Sequence, residues 1–145
     1  MQNLGKIPFP SDYFNTFTRQ DSVVSMSLRI THLGTGSRGN STLLETDAVK
    51  VLIDLGFSGA QLEKRLAMLA IEPSEIDCAL ITHHHGDHAG GATLCQKKWG
   101  MKILANETTA HELNLDPKMT SYFGSLDLIR IGDELTILPV PVPHS

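Results

Sequence analysis

The feature that most constrains this chain is the run Thr82-His83-His84-His85-Gly86-Asp87-His88, entered directly from Cys78-Ala79-Leu80-Ile81. The apolar tetrapeptide reads as a short buried strand, and it delivers the chain straight into the histidines. Alternate residues of an extended segment point the same way, so His83 and His85 can present their imidazoles to one metal ion. Gly86 lets the backbone turn sharply, which swings Asp87 and His88 to the other side, where they can bind a second ion or orient the first. Nitrogen and carboxylate donors of this kind suit Zn²⁺, and also Mn²⁺ or Fe²⁺. His84 should point away from its neighbours and is not expected to be a ligand. The plain alternative is a solvated histidine-rich loop or an incidental metal patch; the strand before the run and the glycine-containing helix start after it weigh against that.

Hydrophobic periodicity places the remaining elements around this run. Leu28, Ile30 and His32 alternate with polar neighbours as a half-buried strand. The glycine-rich loop Gly34-Thr35-Gly36-Ser37-Arg38-Gly39-Asn40-Ser41 follows. Thr42–Thr46 and Val49–Leu55 read as two more strands, so the first three should be antiparallel neighbours. Ser58 with Gln61 opens a helix whose buried face carries Leu62, Leu66, Leu69 and Ala70. A second helix is expected from about Asp87 to Gly100, with Lys97 and Lys98 at its C-terminal end. Met101–Ala105 is a strand, and Asn106 caps a helix through Leu113 that Asp116-Pro117 breaks. Leu126–Ile131 pairs with Leu135–Val142 across Gly132-Asp133. Strands first and strand–helix alternation later make a mixed α/β layer structure. His32 and His111 read as structural or surface residues, and Trp99 as core.

Length and charge narrow the function classes. The 145 residues allow one domain, and a net charge of −4 argues against a diffuse basic surface for nucleic acid. Two cysteines without ligand spacing leave any metal to histidine and carboxylate and fit a reducing cytoplasm. No run approaches the roughly 18 apolar residues of a membrane span. Residues 1–25, interrupted by Pro8, Pro10, Asp12, Asn15 and Asp21, read as a flexible leader before a domain at 26–145.

Thr82-His83-x-His85-x-Asp87-His88 resembles the signature motif of the metallo-β-lactamase-fold hydrolases. The loop Leu33–Ser41 and the run Leu52-Ile53-Asp54-Leu55-Gly56 resemble the small bacterial YycJ-type branch, akin to the tRNase Z and RNase J groups. The similarity runs from about Leu28 to His144. It implies the N-terminal half of an αββα sandwich, a mixed sheet with helices on its outer face, and a pair of metal ions. By position, His83, His85 and His144 would hold the first ion, and Asp87 and His88 the second. Asp54 would lie beneath the site and support the ligand loop; its bland reading is a strand-end turn carboxylate. Asp87, with His83 and His85, would carry catalysis by ligating the metal and orienting a water whose pKa the metal lowers. Ser37, Arg38, Asn40 and the loop amides would meet a substrate phosphate, unless the glycines only permit a tight turn.

The chain departs from that family after His144: a bridging aspartate, a final histidine and the second sheet do not follow. The expectation is a truncated, incomplete domain with one sheet face uncovered, open to a homodimer. The implied activity is metal-dependent hydrolysis of a phosphodiester, nuclease-like, with a small phosphodiester or nucleotide as a variant substrate. A thioester or lactam hydrolase is the enzyme alternative, and an inactive metal-binding remnant the non-enzyme one.

Overall fold

A computed structural model of the chain describes residues 26–143, so the expected leader at 1–25 and the expected ligand His144 lie outside the described residues. Six strands form one sheet in simple sequential order: β1 (Arg29–Gly34), β2 (Ser41–Glu45), β3 (Lys50–Ile53), β4 (Cys78–Leu80), β5 (Ile103–Ala105) and β6 (Thr120–Tyr122). The first three are antiparallel neighbours, and β3 to β6 run parallel. Helices α1 (Gly59–Ala67), α2 (Gly86–Ala89), α3 (Ala92–Trp99) and α4 (Glu107–Glu112) fill the crossovers. A separate hairpin, β7 (Ile129–Ile131) and β8 (Leu135–Ile137), closes the described region. The mixed α/β class read from the sequence is the one observed.

Period-two alternation divides the apolar residues between two clusters. Leu43, Leu52, Ala79 and Ile103, all at 0% exposure, pack with Leu62, Leu66, Ala92 and Cys95 of the helices. Their strand neighbours Val51 and Cys78 turn the other way and pack with Leu135 of the hairpin.

Four local expectations need correction. Leu28 and Ile30 are 54% and 58% exposed, because the register pairs Thr31 with Leu43 on the helix side and sends Ile30, opposite Leu44, to the other face. The helix expected over Asp87–Gly100 is two helices. Its break falls at Gly90-Gly91, where Gly91 donates its N–H to Leu55 O at 2.8 Å and a Cβ would collide with the Phe57 carbonyl. Leu69 and Ala70 lie beyond α1: Ala70 takes φ +57°, and Ile71 turns back to donate to Leu66 O at 3.0 Å and enters the core instead. Strand β6 has no counterpart among the expected elements; its three residues alternate too briefly to signal a period. By contrast, Ser58 and Asn106 cap α1 and α4 as their positions indicate, accepting from Gln61 N and Thr109 N. Gly100 ends α3 in the left-handed conformation at φ +59°.

Candidate metal centre

Because β1 and β3 to β6 all run the same way, the segments following them gather along one edge of the sheet. In open α/β sheets this edge, at the carboxyl ends of the strands, is where ligands bind. The glycine loop follows β1, Asp54 follows β3, the histidine run follows β4, and Asn106 and Phe123 follow β5 and β6.

Asp54 is the hub. Its backbone N–H donates to Leu80 O at 2.8 Å and its φ is +67°, so the chain bends at the end of β3 and the carboxylate turns under the histidine run. The residue is 5% exposed. Its Oδ1 accepts from Thr82 N at 2.8 Å and from Thr82 Oγ1 at 2.9 Å, while Oδ2 lies 2.6 Å from His88 Nδ1. A buried carboxylate with this many donors has its acceptor capacity taken up within the protein. Thr82 opens the motif in the sequence, but its pattern there points to no role for it. Its hydroxyl also lies 2.9 Å from His83 Nδ1.

The contacts at Nδ1 of both rings favour one imidazole tautomer. If Thr82 O–H donates to Asp54, its lone pair accepts from His83 Nδ1–H; His88 Nδ1–H donates to Asp54 directly. Both rings then carry their proton on Nδ1 and their lone pair on Nε2, the tautomer of a histidine that ligates through Nε2. The ring of His83 lies 4.7 Å from that of His85 and 4.2 Å from that of His88, centroid to centroid. The Asp87 carboxylate is 3.7 Å from His88 Nε2. His83, Asp87 and His88 are half-buried and His85 is exposed, an accessible set of nitrogen and oxygen donors that fits a divalent ion. Among the described residues no three such groups already converge on one point at ligand distance. His84 is exposed, its ring 5.4 Å from that of His85.

The glycine loop is joined to the histidine run through one side chain. Asn40 receives the Gly36 N–H on Oδ1 at 2.9 Å, and its Nδ2 lies 2.8 Å from Gly36 O, 3.1 Å from Asp87 O, 3.4 Å from Asp87 Oδ2 and 3.3 Å from His88 Nε2. Its backbone N–H donates to Asp87 O at 2.8 Å. Asn40 therefore ties the loop to the second half of the histidine run. Ser37 and Arg38 are exposed on the same loop. His32, also exposed, pairs across strands with Thr42 Oγ1 at 2.9 Å, His111 is exposed on α4, and Trp99 is half-buried against the core.

Beside the run, on the β5–β6 side, a groove of about 550 Å³ is lined by His83, His84, the start of α4, residues 122–125 and Asp127.

A strand-end carboxylate steering a histidine run, in a sheet whose first three strands are antiparallel and the rest parallel, defines a class of fold. The chain belongs to the metallo-β-lactamase superfamily, whose family model matches residues 34–144. It is 39% identical over 95 residues to the exodeoxyribonuclease WalJ of Streptococcus pneumoniae serotype 2, covering 66% of this chain and 34% of that protein. To the exodeoxyribonuclease YycJ of Bacillus anthracis it is 33% identical over 113 residues, covering 74% of this chain and 43% of that protein. Its fold is similar to that of a B3 metallo-β-lactamase with an active-site glutamic acid, with TM-score 0.61 and 20% identity over 72% of this chain and 46% of the other. The chain spans less than half the length of each of these proteins. No helix among the described residues is long and apolar enough to cross a membrane.

Proposed function

We propose that the chain carries the metal-binding part of a metal-dependent phosphodiesterase that acts as a nuclease on DNA. The observation that supports this best is the Asp54–Thr82–His83 and Asp54–His88 network, joined to the similarity with relatives named exodeoxyribonucleases. His83 and His85, with His144, are the ligands of a first ion, and Asp87 and His88 of a second. Zn²⁺ is the expected metal, with Mn²⁺ or Fe²⁺ as alternatives. Such an ion supplies Lewis acidity, lowering the pKa of a coordinated water and drawing charge from a phosphoryl oxygen. Asp54 and Thr82 hold the imidazoles in their ligating tautomers, and Asn40 holds the Asp87-His88 turn against the glycine loop. Arg38 and Ser37, exposed on that loop, meet the substrate phosphate. The net charge of −4 favours short strands or nucleotides over long duplex. Cys78 and Cys95, both buried and free, suit a reducing cytoplasm.

One relative favours a second reading: a hydroxyacylglutathione hydrolase of Cereibacter sphaeroides, a thioester hydrolase by its name, is 34% identical over 77 residues. The test is turnover after loading with zinc or manganese. End-labelled single-stranded DNA and bis(p-nitrophenyl) phosphate should be cleaved, nitrocefin and a glutathione thioester left intact, and His83→Ala should abolish cleavage. Turnover of the thioester alone, or full activity in His83→Ala, would overturn the proposal.

A further inference from the structure

The groove beside the histidine run is left without a role by the metal centre. Because His83 lines it and also belongs to that centre, a substrate whose reacting bond sits at the centre can extend an adjoining group into the groove. The lining decides what that group can be. None of the described lining residues is lysine or arginine, and Glu107 and Asp127 contribute carboxylates, so a second phosphate meets like charge. At the start of α4 the Thr109 N–H is already taken by Asn106 Oδ1 at 2.8 Å. A neutral, flat group with N–H donors fits instead. Tyr122, although it ends a strand of the sheet, is 56% exposed and offers a ring face for stacking. Asp127 Oδ2 accepts the Gly124 N–H at 2.6 Å, which holds the loop in place and leaves its second oxygen with acceptor capacity. Ser125 adds a hydroxyl.

We infer that this groove is a nucleobase subsite, holding the amino-bearing base of the nucleotide next to the scissile phosphate. Tyr122 stacks on the base and Asp127 accepts from its exocyclic amine. The inference rests on the phosphodiesterase reading, but its test does not need turnover. Saturation-transfer NMR on the full chain with adenosine, and with ribose 5-phosphate as the baseless control, reads occupancy directly. Adenosine should bind and the control should not. Tyr122→Ala should weaken adenosine about 5- to 100-fold, Tyr122→Phe should retain it, and Asp127→Asn should weaken it less than Tyr122→Ala. Adenosine binding no stronger than ribose 5-phosphate, or unchanged in a Tyr122→Ala chain that melts like the parent, would overturn the inference. Tyr122-dependent binding without cleavage of any phosphodiester would support the groove and sink the hydrolytic reading. Cleavage of DNA together with Tyr122-independent adenosine binding would do the reverse.

Discussion

The two faces of the six-stranded sheet are built from the same strands and meet opposite fates. On one, Leu43, Leu52, Ala79 and Ile103 are sealed under helices. On the other, Leu44, Ile53 and Leu104 are half-buried around the β7–β8 hairpin, and Ile30 stands open to solvent. Apolarity is similar on both, so what separates them is register and the cover each face receives. The candidate metal centre rides on the edge between them, and its strands β3 and β4 are those buried on both sides.

That contrast can be broken or sharpened in four ways. Leu52→Ala should cost about 2–5 kcal/mol in urea denaturation, since the helix face has no room to relax around the lost volume; a loss under about 1 kcal/mol would mean that face is not the core. Asp54→Asn should leave the melting curve cooperative yet weaken zinc about 10- to 100-fold in chelator competition, because the second partner of the ligating rings is lost. Unchanged zinc affinity would detach the edge from the strands beneath it. Ile30→Ser should change stability by no more than about 0.5 kcal/mol. A larger penalty, with a concentration-dependent size in gel filtration, would show a second copy on the open face. The smallest effect concerns Cys78 and Cys95, one on each side. Burial, with Asp77 adding to it at Cys78, pushes both thiols from near 9 to about 11. The unfolded chain ionises first, so their contribution to stability is complete below pH 9 and is lost as pH rises through about 11. Iodoacetamide at pH 8 should label neither until the chain is unfolded.

Elements with strong local signals were legible in the sequence: the helix caps at Ser58 and Asn106, the Gly100 stop, and the strand feeding the histidines. Which face of β1 is covered was not, because Leu28 and Ile30 look like any buried alternation until Leu43 is seen opposite Thr31. The paired glycines at 90 and 91 read as part of one helix, since the requirement that splits it comes from the Leu55 and Phe57 carbonyls, more than 30 positions away. At the site, His83, His85, Asp87 and His88 were visible from spacing alone. Thr82 and the bridging part of Asn40 were not, because the partners that give them their parts, Asp54 for one and Asp87 with His88 for the other, lie 28 or more positions away in the chain; the threonine directly preceding the first histidine was the one available signal.

The Asp87 carbonyl receives both the backbone and the side chain of Asn40, and Gly56 sits so close that a Cβ there would collide with it. The histidine run is therefore anchored at its far end as well as where it leaves β4, with its span measured out residue by residue. One amino acid inserted between His83 and Asp87 would throw every donor out of phase.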